Sequence, residues 1–252
     1  MNDCLTTYQK LCTEVYDLSK PQPPQDEYAF YRSYLMEANG PVLEPMCGTG
    51  RFLLPLAAEG FDLHGFDASD AMLKALRTKA HAQNLNPHVW KDFIEAFDTS
   101  TLYPLIFIPS GSFCLITDLS AIQSMLEKFY KHLHKEGVLV FEVETEKSLP
   151  APLDVWCTST YPKPDGTTIE LSKYTSVAGN ICISRHQYTL MQNDTVLHTE
   201  TEDMQIRLYN DPKELLTLLN KVGFHNIKMI KPFDRKNLAT EKDATIVYEC
   251  RK

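Results

Sequence analysis

A glycine-rich turn between two apolar segments constrains this chain more than any other feature. The stretch 41–74 reads PVLEPMCGTGRFLLPLAAEGFDLHGFDASDAMLK. It predicts a short strand, a turn containing Gly48 and Gly50, a helix over 51–58, and a second strand that ends at Asp67. Glycine at the turn lets the backbone bend sharply and approach a ligand closely. The stretch therefore predicts a parallel βαβ unit that binds a ligand at the carboxyl ends of its strands.

The spacing of acids and glycines indicates which ligand this unit binds. Asp67 follows Gly50 by 17 residues, where a carboxylate accepts hydrogen bonds from both hydroxyls of a ribose. Leu53 occupies the position of the third glycine of a dinucleotide fingerprint, which disfavours NAD and FAD, and no Gly-Lys-Ser/Thr follows the turn. An acid before the turn, Glu44, fits S-adenosylmethionine, a nucleoside without phosphate that carries a sulfonium and an amino-acid end. The alternative is an unrelated βαβ unit with a glycine-rich turn.

Composition limits the class of partner. The chain has 252 residues, which suits one large domain or one domain with an insertion. Its net charge of −8 comes without any basic stripe, so a general nucleic-acid binder is not expected. The negative net charge therefore favours a small molecule or a protein as the substrate.

Cysteine usage and the absence of long apolar runs indicate the compartment. The seven cysteines are odd in number and never spaced as CxxC, which favours a reducing environment and disfavours a disulfide framework or a metal site. No apolar run approaches the ~20 residues that a membrane span needs. We therefore expect a cytoplasmic protein with no membrane partner and no metal. The cysteines are Cys4, Cys12, Cys47, Cys114, Cys157, Cys182 and Cys250.

The periodicity of the chain divides it into three parts. Residues 1–40 show helical spacing and several tyrosines, and predict two helices that either pack on the sheet or close as a lid over the cofactor. Residues 41–150 and 210–252 alternate strands and helices, which predicts a doubly wound, mostly parallel, Rossmann-like α/β sheet of seven strands. Residues 151–209 switch to period two with regular turns, which predicts an inserted four-stranded antiparallel sheet.

Two further strand ends offer candidate ligand contacts. Asp92 and Phe93 follow the third predicted strand, where an acid and an aromatic ring suit the amino group and face of an adenine; the alternative for Asp92 is a turn cap. The loop 109–113 follows the fourth strand, 105–108, which is apolar on both faces as a parallel sheet requires. This loop is expected beside the reactive end of the cofactor.

The motif LEPMCGTGRFLLPLAAEGFDLHGFDASDAML resembles motifs I and II of class I S-adenosylmethionine-dependent methyltransferases. The layout of the whole chain resembles the subgroup with an antiparallel insert after the fifth strand, which includes bacterial N,N-dimethyltransferases of nucleotide-linked amino sugars. The motif resemblance covers residues 40–145. The loop after the fourth strand departs from the sugar-modifying members because it reads PSGSFCLITD, without histidine.

This resemblance implies a set of cofactor contacts. Glu44 would order the turn near the methionine end, Asp67 would bind the ribose, and Tyr16 would reach over the cofactor from the N-terminal region. The complete implied set is Tyr16, Glu44, Met46, Gly48, Gly50, Asp67, Ala68, Met72, Asp92, Phe93 and Ser110.

The chemistry implied is an in-line methyl transfer to nitrogen or oxygen of a small molecule. A general base is needed only when the nucleophile is a protonated amine or a hydroxyl. Among Glu142, Glu144, Tyr16 and His186 we select Tyr16 and Glu142 as catalytic; a surface position is the alternative for His186. Arg185 and Arg207 of the insert are candidates for an anionic substrate, or for solvated or ion-paired residues.

Two other functions stay open at this point. One is a non-catalytic S-adenosylmethionine-binding module, and the other is a protein or RNA methyltransferase with an open or basic groove. The insert is expected to act as a substrate lid or as the surface of a homodimer.

Overall fold

The computed structural model describes residues 5–240 and 242–252. Cys4 and the beginning of the predicted N-terminal helical part lie outside the described residues. The helices are α1 (Lys10–Ser19), α2 (Gln25–Leu35), α3 (Leu53–Ala58), α4 (Asp70–Ala82), α5 (Leu119–His132) and α6 (Pro212–Val222). The strands of the main sheet are β1 (Val42–Pro45), β2 (Leu63–Asp67), β3 (His88–Lys91), β4 (Tyr103–Ile108), β5 (Leu133–Glu144), β10 (His225–Lys231), β11 (Asp234–Leu238) and β12 (Thr245–Arg251).

The main sheet confirms the predicted doubly wound α/β fold. Its strand order is β11-β10-β12-β5-β4-β1-β2-β3; β1 to β5 pair with one another in parallel, and β12 is antiparallel to both β5 and β10. The order reverses between β1 and β4, which is the point where such sheets bind ligands. The seven predicted strands are present.

An eighth strand, β11, was not predicted. Its sequence, DRKNL, is mostly exposed and lacks the apolar alternation that identifies a strand. It pairs with β10 at the edge of the sheet because a turn containing Phe233, with φ of 58°, brings the chain back. The neighbouring β12 lies inside the sheet between β5 and β10, since its segment IVYEC is buried on both faces.

The core lies on both faces of this sheet. Leu105 and Phe107 of β4 face one apolar cluster, which also contains Tyr31 of α2, while Ile106 and Ile108 face the other. These four side chains of β4 are at most 2% exposed. This double burial is the reason that the strand reads as a continuous apolar run.

A second sheet forms the insert, with strands β6 (Trp156–Pro162), β7 (Thr168–Ala178), β8 (Ile181–Gln192) and β9 (Thr195–Arg207). All its pairs are antiparallel, in the order β6-β7-β8-β9, as predicted. Helix α1 packs on one face of this sheet, where Leu11 and Val15 contact Ile169 and Tyr188 in a small apolar cluster. In the part of the chain that the structure describes, no helix is long and apolar enough to cross a membrane.

Candidate active site

A cavity of about 430 Å³ opens at the carboxyl ends of β1 and β2. Its wall comes from the glycine turn, the end of β2, the segment after β3, the loop after β4, the start of the chain and the edge of β9. The lining residues are Leu5, Thr7, Tyr8, Tyr16, Met46, Gly48, Asp67, Ala68, Met72, Phe93, Ile94, Glu95, Ser112, Leu115, Ile116, Asp203, Met204 and Gln205. Seven of the eleven residues predicted to bind the cofactor therefore line one cavity.

The glycine turn has the backbone that its sequence indicates. Gly48 and Gly50 have φ of 53° and 77°, in the left-handed region that glycine adopts without strain. Gly50 does not line the cavity. A Cβ on Gly50 would lie 2.9 Å from Cγ of both Leu54 and Leu76, so this glycine allows α3 and α4 to pack closely behind the turn.

Asp67 holds the turn and the start of α4 together while facing the cavity. Its carboxylate accepts hydrogen bonds from the backbone N–H of Gly48 (2.8 Å) and of Ser69 (2.8 Å). Ser69 in turn caps α4 by accepting from Met72 N–H. Burial raises the pKa of Asp67, while the backbone donors oppose this rise. The remaining lone pairs of the carboxylate are available to a diol in the cavity.

Two buried polar atoms beside the turn have no hydrogen-bond partner among the described residues. Glu44 is 3% exposed, and its Oε2 accepts no hydrogen bond, while Nε of Arg51 donates none. Burial raises the pKa of Glu44 well above its ordinary value, against the opposing charge of Arg51. Buried polar atoms without partners are rare in proteins, so a bound ligand or water would satisfy these two atoms. An ammonium and a carboxylate, the two ends of an amino acid, match this pair.

Ser110 and Glu142 lie together next to the cavity rather than in its wall. Ser110 N–H donates to Glu142 Oε1 (3.0 Å), and the Ser110 hydroxyl accepts from Arg51. The Tyr31 hydroxyl also donates to Glu142 Oε1, and Glu142 is 4% exposed. Burial raises the pKa of Glu142 to about 7. In this position Glu142 orders the loop after β4, whose Ser112 reaches the cavity.

We expect Glu142→Gln to remove a pH dependence of stability. The pKa of Glu142 in the folded chain, about 7, exceeds its ordinary value of 4.5, so the folded chain binds more protons in this window and loses stability as the pH rises. Since one pKa unit corresponds to about 1.4 kcal/mol, the loss between pH 5 and pH 7 is about 2 kcal/mol. Urea unfolding at both pH values measures it.

The glutamine side chain still accepts from Tyr31 and Ser110 through Oε1, so the variant should fold. Glu146→Gln, at an exposed position just beyond β5, is the matched control and should follow the wild-type pH dependence. An equal pH dependence for Glu142→Gln and the wild type would contradict the assignment.

The end of β3 brings one of its two predicted residues to the cavity. Phe93 lines it, and the next residue, Ile94, does so as well. Asp92 is directed into the turn, where its carboxylate accepts from the backbone N–H of Phe93 (2.9 Å) and from the indole of Trp90 (3.4 Å).

Helix α1 closes one side of the cavity and is held at both ends by other parts of the chain. Glu202 of β9 accepts from the backbone N–H of Tyr8 (2.9 Å) and Gln9 (2.6 Å), and Glu200 accepts from Leu11 N–H (2.7 Å). These carboxylates satisfy the N-terminal donors of α1, which has no capping side chain of its own. At the other end, Asp17 accepts from the hydroxyl of Thr49 (2.6 Å) in the glycine turn.

Tyr16 extends from α1 into the cavity wall. Its ring lies beside the guanidinium of Arg51, 5.6 Å from the ring centroid, and burial raises the pKa of its hydroxyl. The predicted residues Tyr16, Met46, Gly48, Asp67, Ala68, Met72 and Phe93 thus meet in the cavity. Glu44, Gly50, Asp92, Ser110 and Glu142 surround it without forming its wall.

Sequence reasoning missed the contribution of β9 and of Arg51. The edge of β9 supplies Asp203, Met204 and Gln205 to the cavity, and nothing in its alternation indicates which sheet edge faces the ligand. Arg51 lies inside the quoted motif, directly after the second glycine, and this position could have identified it as a residue near the cofactor.

Comparison with known proteins agrees with this architecture. Residues 42–137 match the family described as "Methyltransferase domain". A putative methyltransferase of Geobacillus sp. (strain WCH70) is 24% identical over 135 residues, which cover 52% of this chain and 55% of that protein. The chain therefore spans about half the length of the curated relatives it matches.

Solved structures extend the similarity of fold to the whole chain. The sugar N-methyltransferase KedS8 from Streptoalloteichus sp. ATCC 53650 superposes with a TM-score of 0.76 at 18% identity, covering 100% of this chain and 96% of that one. The CcbJ methyltransferase from Streptomyces caelestis gives 0.73 at 20% identity, covering 100% and 99%. At these identities the similarity establishes the fold, including the insert.

Proposed function

We propose that this chain, which carries a methyltransferase domain in residues 42–137 and has the class I fold of the S-adenosylmethionine-dependent methyltransferases, is an enzyme that transfers a methyl group from S-adenosylmethionine to nitrogen or oxygen of a small molecule. The observation that carries the proposal is that the glycine turn, through Gly48, and Asp67 line the same cavity. The unpartnered atoms of Glu44 and Arg51 beside it fit the amino-acid end of this cofactor.

The residues of the chain would bind and orient the two reactants. Bound S-adenosylmethionine supplies an activated methyl group on a sulfonium. Asp67 would accept from the ribose hydroxyls, Phe93 and Met72 would contact the adenine, and Glu44 with Arg51 would hold the ammonium and carboxylate. Orientation of this kind is worth up to ~7–11 kcal/mol of the barrier when the reacting atoms are held near attack.

The test combines binding and transfer. Calorimetric titration with S-adenosylhomocysteine should show one site per chain, and transfer of a labelled methyl group should occur to members of a panel of small amines, phenols and carboxylates. Tight binding without transfer to any acceptor would favour a non-catalytic binding module. Absence of binding would reject the proposal, and transfer only to protein or RNA would replace it.

Of the N-terminal part, 1–40, helix α1 forms a lid in this proposal, while α2 packs on the main sheet through Tyr31. Residues 41–150 with 210–252 form the cofactor-binding domain, and 151–209 form the insert. Glu202→Gln should loosen the lid because the amide replaces one carboxylate oxygen and leaves Tyr8 or Gln9 N–H without its acceptor. An unsatisfied buried donor costs about 1–3 kcal/mol. We therefore expect S-adenosylhomocysteine to dissociate about 10-fold faster in stopped-flow measurements.

Glu170→Gln, on the opposite face of the same sheet, is the control and should leave the dissociation rate at the wild-type value. If Glu202→Gln also leaves it unchanged, α1 is not a lid.

We also propose a cytoplasmic location and a homodimer formed through the insert. The net charge of −8 disfavours binding to nucleic acid and to anionic membranes, and the odd, scattered cysteines favour a reducing compartment. Strand β6 is exposed along almost its whole length, which leaves an edge for pairing with a second chain. Light scattering after size exclusion would report the mass of the assembly.

A further inference from the structure

Helix α1 buries its apolar face against the insert. Leu11, Cys12 and Val15 are at most 6% exposed, and they pack with Ile169 and Tyr188 of the insert sheet in one apolar cluster. Among the described residues, neither apolar cluster of the main sheet includes a residue of α1. The apolar contact of this helix is therefore with the insert and not with the main sheet.

Charged side chains add to the contact between α1 and the insert. Glu202 and Glu200 of β9 accept hydrogen bonds from the backbone N–H groups at the start of the helix. In the middle of the helix, Glu14 forms an ion pair of 2.8 Å with Lys163, which directly follows β6. The insert thus holds α1 at its N-terminal end and at its centre.

The contacts of α1 with the main-sheet domain are polar, and Asp17 makes two of them. The Asp17 carboxylate accepts from the hydroxyl of Thr49 in the glycine turn (2.6 Å) and from Nζ of Lys79 in α4 (2.8 Å). The side chains of Asp17 and Lys79 are 31% and 33% exposed, so water competes for this ion pair.

Two further contacts join the α1 region to the main-sheet domain. The Ser69 hydroxyl donates to the backbone oxygen of Tyr8 (2.7 Å), and the ring of Tyr16 lies beside the guanidinium of Arg51. Burying a large apolar side chain contributes more to stability than a partly exposed ion pair does. We therefore expect α1 to separate from the main-sheet domain more readily than from the insert.

The insert meets the main-sheet domain at the end of β9, where the chain returns to the main sheet. Arg207 donates to the backbone oxygen of Thr117 (3.2 Å) and to the carboxylate of Glu214 (2.6 Å), and Ile206 packs against the core of the main sheet. Residues at the ends of elements are common hinge positions. These contacts therefore lie where the insert would pivot.

The cofactor cavity lies across this boundary. Its wall includes Tyr16 of α1 and Met204 of the insert on one side, and Gly48 of the glycine turn on the other. Thr49, the partner of Asp17, directly follows Gly48 and is 1% exposed. A movement of α1 and the insert away from the main sheet would open the cavity and break the hydrogen bond between Asp17 and the turn.

We propose that α1 and the insert sheet, residues 10–19 and 156–207, form one closing unit over the cofactor cavity, and that Asp17 is the positioning residue that couples this unit to the glycine turn through Thr49. The proposal rests on the methyltransferase function and specifies how its cofactor site closes. Bound cofactor and the Asp17–Thr49 hydrogen bond stabilise the same closed form, so each strengthens the other.

The first test measures distances between spin labels on the full chain without any ligand. Cysteine replaces Lys10 of α1, Thr195 of β9 or Thr78 of α4, all at exposed positions, in a background in which serine replaces Cys4 and Cys157. Double electron–electron resonance then gives the 10–195 distance within the closing unit and the 78–195 distance between this unit and the main-sheet domain.

Asp17→Ala should broaden the 78–195 distance distribution toward longer distances, because the unit loses its contact with the turn. The 10–195 distribution should not change, since the apolar cluster and the insert carboxylates still hold α1. Asp98→Ala is the matched control, because Asp98 also pairs with a lysine, Lys131 of α5, and this variant should change neither distribution.

The second test measures the affinity for S-adenosylhomocysteine by calorimetry. Asp17→Ala and Thr49→Val should each lower it about 10-fold, the size of effect expected when one hydrogen bond to a charged group is lost. The double variant should also lose about 10-fold and not about 100-fold, because both substitutions remove the same bond. A direct contact of Thr49 with the cofactor would instead make the two losses additive.

Two controls accompany the affinity measurement. Thr49→Ser retains the hydroxyl group and should restore binding to within about 2-fold of the wild type, since the hydrogen bond to Asp17 is preserved. Asp98→Ala should bind S-adenosylhomocysteine as the wild type does.

Each outcome decides the proposal. A changed 10–195 distribution in Asp17→Ala would show that α1 moves without the insert, and two unchanged distributions would show that Asp17 does not hold the unit closed. Additive losses in the double variant, or wild-type affinity in Asp17→Ala, would overturn the role of Asp17. Failure of the wild type to bind S-adenosylhomocysteine would reject the proposed function, while the distances, measured without ligand, would still decide whether α1 and the insert move together.

Discussion

Asp67→Ala should lower the affinity for S-adenosylhomocysteine by at least 100-fold. The carboxylate faces the cavity, and two hydroxyls of a ribose would donate to it. Each hydrogen bond to a charged group contributes about 1.5–3 kcal/mol, so loss of both exceeds the 2.7 kcal/mol that corresponds to 100-fold in a dissociation constant. Calorimetric titration of the two proteins gives the ratio directly.

The same carboxylate also accepts hydrogen bonds from the backbone of Gly48 and Ser69. The effect of the substitution on folding therefore needs a separate control. Asp67→Asn retains one oxygen acceptor and should bind with intermediate affinity. Asp62→Ala, at an exposed acid just before β2, should bind as the wild type does. If Asp67→Ala is as stable as the wild type and binds equally well, the ribose does not lie at Asp67.

Gly50→Ala should reduce the free energy of unfolding by roughly 4 kcal/mol. An alanine at φ of 77° costs about 1–2 kcal/mol, and insertion of a methyl group into packed side chains costs about 1–3 kcal/mol more. The new Cβ would meet Leu54 and Leu76, each at 2.9 Å, in the contact between α3 and α4. Urea unfolding followed by circular dichroism measures the loss.

Gly60→Ala separates the two contributions. Gly60 also has a positive φ, 92°, but a Cβ there would have no atom within 4 Å. This variant should lose only the backbone contribution, about 1–2 kcal/mol. Equal losses at Gly50 and Gly60 would show that close packing behind the turn is not the reason for the glycine at position 50.

The predictions from sequence agree best with the structure where a pattern reflects interactions between neighbouring residues. The two glycines and Asp67 predicted a turn and an acid at a strand end, because backbone conformation and strand length depend on neighbouring residues. The apolar run 105–108 predicted a strand buried on both faces, and period two predicted the four strands of the insert. Strand β11 was missed because its polar residues carry no such pattern, and it forms through pairing with β10.

Side-chain directions at the site depended on individual hydrogen bonds that the strand pattern does not specify. The Asp92 carboxylate accepts a hydrogen bond from the backbone N–H of Phe93, the next residue. The Glu142 carboxylate accepts one from Tyr31, which is 111 residues earlier in the chain. The spacing of residues 88–93 and 138–144 predicts the ends of strands, but it does not say which atoms meet there. The roles of Tyr16 and Glu142 in catalysis therefore stay predictions.

The sequence alone determined the cofactor turn, the order of strands and helices apart from β11, and the presence of an insert, because each follows from interactions between residues close in the chain. Only the tertiary structure decided that Glu202 caps a helix 193 residues away and that Asp17 of this helix meets Thr49 of the glycine turn. Both depend on how α1 packs between the insert and the glycine turn. The physical reason is that hydrogen-bond partners across such separations are selected by the packing of whole elements, which no local pattern encodes.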